Sequence, residues 1–374
     1  MQFRDIQRTD QWVRPQIEAA IRDVVSEGCY VMGHWVPELE ERLARYVGVK
    51  HCITCANGTD ALRLALMAWG VGEGDAVFLP DFTFFATAEA VALQGAIPIF
   101  VDVDCRTFNI SVADLKEKIS NIKAHTTLRC RAVVAVDLFG QPAAFDELLP
   151  VVRDNDMLLL EDGAQGFGGE LNGRRACSFG DVATTSFFPA KPLGCYGDGG
   201  ALFTNDDAVA SAVRSLRQHG KGEDKYHNVR LGLNSRLDTV QAAVLKVKLE
   251  AFEERGLQAV QEVAKSYDSL LQGLVDCPQV GDGIRSSWAQ YTIVSHRRDD
   301  LNGALKEASI PTAIYYPLPM HNQPALQMYA DMQSPCPNTE RLCRTVLSLP
   351  IYPFMTEDEC HQVVSVIERT IEKK

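Results

Sequence analysis

No apolar run in this 374-residue chain reaches the roughly 18–20 residues that a membrane span needs, so no transmembrane segment is expected. The opening MQFRDIQRTDQW carries acidic residues and no apolar stretch, so it is not read as a secretory leader. A basic, aromatic-interleaved run is also missing. Lys and Arg number 37 against 49 Asp and Glu, and the net charge of -12 argues against a partner held by phosphate-backbone attraction. There is no internal repeat and no low-complexity segment. Cysteine is not scarce, but its pattern excludes a disulfide framework. The eleven are odd in number and scattered, and several, such as Cys29, Cys343 and Cys360, sit in apolar stretches. They read as buried thiols of a reducing, cytoplasmic compartment. Cys52 and Cys55 form a C-x-x-C spacing with no second pair, and HCITCANG alternates like a strand entering a turn, so no metal is expected.

What is present is an ordinary globular composition, 46% hydrophobic and 23% charged, at a length that suits two domains. Helical apolar spacing runs over residues 12–27, 36–46, 60–69, 87–94, around 112–119, and 144–155. Between these lie short apolar strands at 51–55, 76–79, 97–101, 132–137, 157–161, 182–187 and 200–204. Such alternation predicts an α/β domain with a mostly parallel sheet covered on both faces, its active site beyond the carboxyl ends of the strands. From about residue 235 the texture changes. Two long helices at 239–254 and 258–274 precede a strand at 289–294 and helices at 301–308 and 357–372. The expectation is a large domain, residues 1–245, and a smaller α+β domain, residues 246–374.

Four features carry chemistry. In TSFFPAKPLGCYGDGG, residues 185–200, Lys191 stands between Pro189 and Pro192, which fix the backbone around it. Apolar neighbours disfavour its charged form, as imine chemistry requires; a surface lysine in a loop is the plain alternative. Asp162 follows an apolar strand in LLLEDGAQ, where a carboxylate could keep a pyridine nitrogen protonated or merely cap a turn. Gly58 and Thr59, in ANGTDAL, open a helix after a strand, which suits a phosphate but is also a common junction. Phe84, in PDFTFFATAEA, could stack on a flat ring or fill a core.

Phosphate turn, stacking aromatic, Asp, then Lys is the order found in fold-type I enzymes that use pyridoxal phosphate (PLP). The chain resembles the nucleotide-sugar aminotransferase family of the DegT type over nearly its whole length. The likeness also rests on GCYVMGHWVPELEERLARYVGVKH, PIFVDVDCRTFNI, DLFGQPA, RQHGKG, GLNSRLDTVQAA, YYPLPMHNQPA and LSLPIYP. It implies a fold-type I PLP-dependent aminotransferase. In it Lys191 forms the Schiff base and moves the proton, Asp162 pairs with the pyridine nitrogen, and Gln165 approaches the ring hydroxyl. Phe84 stacks on the ring, and Gly58, Thr59 and Ser186 hold the phosphate. Asn234 reaches the phosphate of a neighbouring subunit, which implies a homodimer with shared sites. Arg236, Tyr316 and His321 match positions near the substrate. For Asn234 a helix cap near Arg236 is the structural alternative, and for Arg236 a salt bridge at the helix start.

The resemblance further implies glutamate as donor, the pyridoxamine form (PMP) as carrier of the amino group, and a nucleotide-linked keto-sugar as acceptor. SFFPAKPLGCYGDGG is most similar to members acting at the 3-position, such as those using UDP-2-acetamido-3-keto-glucuronic acid in surface-polysaccharide synthesis. Members using dTDP-3-keto-6-deoxyhexoses share much of it, and 4-aminotransferases or a non-catalytic PLP-binding regulator are the alternatives. The retained Lys191 argues for complete transamination, since relatives with His there act as dehydratases. Two departures stand out. EDGAQGFGG has Gly163 where relatives have Ala, so Gly163 and Gly166 are expected to leave room under the ring. His34 stands where Pro is common, near the site entrance.

Overall fold

The structure is a computed structural model that describes residues 1–224 and 226–372. Its strands are β1 (His51–Cys55), β2 (Asp75–Pro80), β3 (Ile97–Val101), β4 (Arg129–Val136), β5 (Leu158–Asp162), β6 (Glu170–Leu171), β7 (Arg174–Arg175) and β8 (Val182–Ser186). β9 (Gly200–Thr204), β10 (Ile284–Arg285), β11 (Tyr291–Val294) and β12 (Val346–Leu349) complete the set. Seven of them form one sheet in the order β1-β9-β8-β5-β4-β2-β3. The pairs β2·β3, β2·β4, β4·β5 and β5·β8 are parallel, and β9 runs antiparallel to both its neighbours. The expected mostly parallel α/β sheet is therefore present, with one reversed strand.

The strands are continuous apolar runs because both faces are covered. One face packs against the helices Gly58–Ala68, Phe85–Ala92 and Asp207–Leu216, burying Leu62, Leu66, Val91 and Val213 with Ile53, Leu79 and Leu160. The other packs against Val112–His125 and Phe145–Asp154, burying Leu115, Ile119, Leu148 and Val152 with Phe78 and Leu159. Asn57, Ser111 and Asp206 cap three of these helices by accepting first-turn N–H groups.

The two long helices expected at 239–254 and 258–274 are one continuous rod. Thr239–Ala251 passes through a wide turn, Phe252–Gly256, into Leu257–Leu271. The extra residue in that turn rotates the apolar face, so that Leu245 and Leu249 before it and Val260 and Val263 after it share one core. Phe252 in the turn lies against Phe167 and Tyr46. Residue 245 lies inside this rod and is fully buried. The C-terminal part adds the β11·β12 pair, the helices Arg298–Glu307 and Pro337–Thr345, and the final helix Glu357–Glu372.

Cys343 and Cys360 are buried, as expected, but Cys29 is exposed. The helix Arg14–Glu27 ends at Gly28, which is left-handed at φ 70°, and Cys29 falls on the loop beyond that cap. Cys52 and Cys55 are both buried in β1, and burial pushes both thiols up. His34 lies on the surface, its ring nitrogens 2.8 Å from Glu38 and 3.1 Å from Glu27. No helix among the described residues is long and apolar enough to cross a membrane.

Candidate active site

β1, β2, β5 and β8 run in one direction, so the loops that leave their carboxyl ends gather at one edge of the sheet. After β1, Asn57 is extended and caps the helix Gly58–Ala68. Its Oδ1 accepts the Asp60 N–H at 2.8 Å, and its carbonyl accepts the Ala61 N–H at 3.1 Å. The N–H groups of Gly58 and Thr59 are left facing out of the helix end, as an anion requires. A Cβ on Gly58 would stand 2.7 Å from the Cβ of Ser186, and one on Gly200 2.5 Å from the Asn57 carbonyl carbon. Glycine at these two positions lets β8 and β9 close on the helix end, which brings the Ser186 hydroxyl beside the two free N–H groups.

After β2, Phe84 starts the helix Phe85–Ala92 and is 54% exposed, its centroid 6.3 Å from the Tyr316 ring. One turn on, the buried Thr87 donates its hydroxyl to Asp162 Oδ2 at 2.9 Å, and Thr83 is 3.2 Å behind it. Asp162 closes β5 and is 5% exposed. Burial raises its carboxyl, while the Thr87 hydroxyl, the Ala164 N–H and the Lys191 charge pull the other way. Gln165 is clamped from three sides. Its Oε1 accepts the Phe139 N–H at 2.9 Å, its Nε2 donates to the Tyr316 hydroxyl at 3.1 Å, and its carbonyl accepts from Ser287.

Lys191 lies on the turn between β8 and β9, which is closed by Lys191 N–H to Phe188 carbonyl at 2.8 Å and Cys195 N–H to Phe187 carbonyl at 2.7 Å. Gly194 permits this closure, since a Cβ there would meet the Pro189 carbonyl oxygen at 2.5 Å. Burial lowers the Lys191 ammonium below the ordinary lysine range; Asp162 opposes that shift and Arg4 adds to it. The amine and the carboxylate thus act on each other across one space.

The structure brings Gly58, Thr59, Ser186, Phe84, Asp162, Gln165, Lys191 and Tyr316 to one edge of the sheet. His321 stands beside this group, its N–H and Nδ1 both held by the buried Asp81, at 2.9 and 2.7 Å. Asn234 is exposed and bridges Gln218, while the adjacent Ser235 is buried and accepts the Ala56 N–H at 3.1 Å. The helix-cap alternative for Asn234 fails, because the following helix starts at Thr239 with Asp238 at its N-cap. Arg236 precedes that helix and has no ion pair among the described residues, so a salt bridge at the helix start does not account for it either.

One expectation is reversed. Gly163 and Gly166 do not leave room. A Cβ on Gly163 would lie 2.5 Å from the Cys177 sulfur, and one on Gly166 would collide with the Asp137 carboxylate. The glycines are small because the floor beneath Asp162 is full. That floor holds two fully buried acids, Asp137 and Glu161. Glu161 accepts N–H groups from Cys177, Phe179 and Gly180, whereas Asp137 accepts one from Ala143 and shares a side-chain hydrogen bond with Glu161. Burial and the Glu161 charge drive the Asp137 carboxyl well above the carboxylate range.

Sequence reasoning missed Arg4, Thr87 and Asp81. Asp81 comes just after β2 much as Asp162 comes at the end of β5, and that likeness was the available signal. Thr87 lay inside the PDFTFFATAEA run already singled out.

A phosphorylated pyridine fits these residues. There is an anion-binding helix end with an adjacent hydroxyl, an aromatic face left uncovered, a buried carboxylate and a lysine with a disfavoured charge. Fold and site together define a PLP-dependent aminotransferase of fold type I. The chain belongs to the DegT/DnrJ/EryC1/StrS aminotransferase family, which it matches over residues 12–368. It is 45% identical over 356 residues to UDP-2-acetamido-2-deoxy-3-oxo-D-glucuronate aminotransferase of Pseudomonas aeruginosa, covering 95% of this chain and 96% of that one. A DegT DnrJ EryC1 StrS aminotransferase from Brucella abortus superposes with a TM-score of 0.96 at 45% identity, covering 99% of both chains. DesV of S. venezuelae, solved in complex with a ketimine intermediate, gives 0.93 at 34% identity, covering 100% of this chain and 99% of that one.

Proposed function

We propose that this aminotransferase moves an amino group from glutamate to the 3-keto position of a UDP-linked sugar acid of the UDP-2-acetamido-3-keto-glucuronic acid type, in amino-sugar or surface-polysaccharide biosynthesis. The observation that carries this reading is the 45% identity over 95% of the chain to the P. aeruginosa enzyme named for that sugar. PLP, when bound, supplies an electron sink that lets a carbon bearing nitrogen give up its proton. The rest is the work of this chain. Gly58, Thr59 and Ser186 would hold the phosphate, Phe84 one face of the ring, and Asp162 the ring nitrogen, with Gln165 beside the ring hydroxyl. Lys191 anchors the cofactor and carries the proton, a task for which its depressed basicity suits it. Residues 1–245 supply the cradle and residues 246–374 part of its wall, through Tyr316 and His321.

The reading includes a cytoplasmic homodimer in which Asn234 serves the partner's phosphate. Its support is the exposure of Asn234, together with apolar side chains left uncovered, Leu231 at 92% three residues before it and Phe188 at 52% on the Lys191 turn. Mixing Lys191→Ala with Asn234→Asp subunits tests this. Each should be poorly active alone, and mixed dimers should regain about half of wild-type activity, because one of their two sites carries neither lesion. Demonstrated subunit exchange without recovery rules out the shared site.

The substrate is tested by offering keto-sugar nucleotides with glutamate and following the product by mass. The panel contains UDP-linked 3-keto sugars with and without a carboxylate, a dTDP-3-keto-6-deoxyhexose and a 4-keto sugar. Amination of the 3-keto uronate in preference to the rest is the expected result. Preference for the dTDP or 4-keto compound replaces the proposed substrate.

A further inference from the structure

The segment before the first helix, Ile6–Asp10, crosses the site and is fastened on both sides of Arg4. Phe3 meets Tyr315 edge-on, with centroids 6.1 Å apart. Arg8 is paired with Glu359 at 2.6 and 3.1 Å and lies over Tyr352, and Asp5 caps the helix through the Arg8 N–H. Arg4 is therefore placed rather than trailing in solvent. Its Nη2 donates to the main-chain carbonyl of Lys191 and its Nη1 to that of Ala289, both at 3.3 Å.

Neither acceptor is charged, and no carboxylate forms an ion pair with Arg4 among the described residues. A guanidinium has five N–H donors in a rigid fork, so the two carbonyls leave most of its capacity unused. A partly buried cation without a counter-ion is unfavourable unless something else supplies the anion. Its cost is visible in the Arg4 guanidinium, which burial pushes down to about 10. The position is also informative. Arg4 donates to the main-chain carbonyl of Lys191 and its charge acts on the Lys191 amine, so an anion bound by Arg4 would lie in the space that Lys191 serves.

We propose that Arg4 is a specificity-determining residue that binds a carboxylate of the substrate. This rests on the aminotransferase reading of the same site, because the reaction brings two candidate acids to it in turn. In the amino donor the α-carboxylate is bonded to the reacting carbon. In a sugar acid the carboxylate lies further along the ring. The first has the shorter reach to a group next to Lys191, and both share the planar, bidentate geometry that arginine matches.

The test is calorimetric titration of the holoenzyme, wild type, Arg4→Met and Arg4→Lys, with unreactive ligands. Glutarate stands for the donor, and UDP-glucuronate against UDP-glucose stands for the sugar. Loss of a charge-assisted pair should weaken binding of one acid by roughly ten- to a hundredfold in Arg4→Met. Arg4→Lys should retain part of that affinity, and UDP-glucose should bind all three proteins alike. Weakening of glutarate alone assigns the donor's carboxylate, and weakening of UDP-glucuronate alone assigns the sugar's. Three results overturn the proposal: unchanged affinity for both acids, no binding of either acid to wild type, or equal weakening of UDP-glucose. Failure of every keto-sugar in the amination panel would sink the sugar assignment and leave the glutarate result standing.

Discussion

The floor of the site and the strap above it are held in different ways. The floor is main chain locked by the sheet. Gly58, Asp162 and Ser186 sit at strand ends or one turn beyond, and Gly163 and Gly166 are pressed against Cys177 and Asp137. The strap, Phe3 to Arg8, belongs to no strand and is fastened through its side chains, by an edge-on ring pair, one arginine–glutamate fork and the Arg4 hydrogen bonds to two main-chain carbonyls. Close packing with paired backbone tolerates almost no change in volume. A surface-side fastening tolerates it and is sensitive to charge instead. The site thus joins a rigid cradle to a lightly tethered cover.

Substitutions can break or sharpen this contrast. The largest effect belongs to Lys191→Ala, which should cut single-turnover amination by at least the ~10²–10⁴-fold typical of a positioned proton carrier, with thermal unfolding little changed. A near-normal rate would remove Lys191 from the chemistry. Next is Asp162→Asn, which should slow turnover by roughly 10²-fold while PLP released in alkali remains near one per chain, since phosphate and stacking contacts persist. Loss of PLP in proportion to rate would make Asp162 a binding group only.

Gly166→Ala probes the floor without touching a catalytic atom. Its methyl must displace Asp137, and overpacking of this kind costs about 1–3 kcal/mol in a urea midpoint measurement. No change there would mean that the floor is looser than its contacts imply.

The smallest effect is expected at the strap. The Arg8 hydrogen bond pulls the Glu359 carboxyl down to about 2, below its unfolded value. A depressed acid stabilises the fold above its unfolded pKa, and that stability is lost as pH falls through the folded one. Glu359→Gln should cost ~0.5–1 kcal/mol at pH 7, and the difference from wild type should shrink from about pH 4.3 down towards 2. A difference that stays constant across that window would exclude the ion pair as its source.

How much was legible follows the same division. The floor announced itself because its chemistry is local in sequence. Lys191 lies between two prolines, Asp162 follows an apolar strand, and Gly58–Thr59 follow another. The parallel sheet could be read from uninterrupted apolar runs. What failed depended on distant partners. Gly163 and Gly166 looked like open space because Cys177 and Asp137 could not be seen beside them. Asn234 looked like a possible cap because Asn often caps helices, and only the structure shows that Asp238 holds that position before Thr239. The long helix was split at its wide turn, since an extra residue breaks the 3.6-residue period without ending the helix. Arg4 gave no signal at all, because a lone arginine near a terminus is ordinarily a solvated one.

The burial of Asp137 against Glu161 has a thermodynamic consequence. In the unfolded chain this aspartate has an ordinary carboxylate pKa, whereas in the folded chain burial and the Glu161 charge push it well above that range, and burial raises the Glu161 carboxyl too, to about 7. Between the unfolded and the folded values, folding therefore takes up protons onto this pair of acids. The same uptake works against stability as pH rises above the usual carboxylate range, because the folded state binds the extra proton. Heat of unfolding measured in phosphate and in Tris at the same pH should then differ in proportion to the difference in ionisation enthalpy of the two buffers and to the protons that the pair releases.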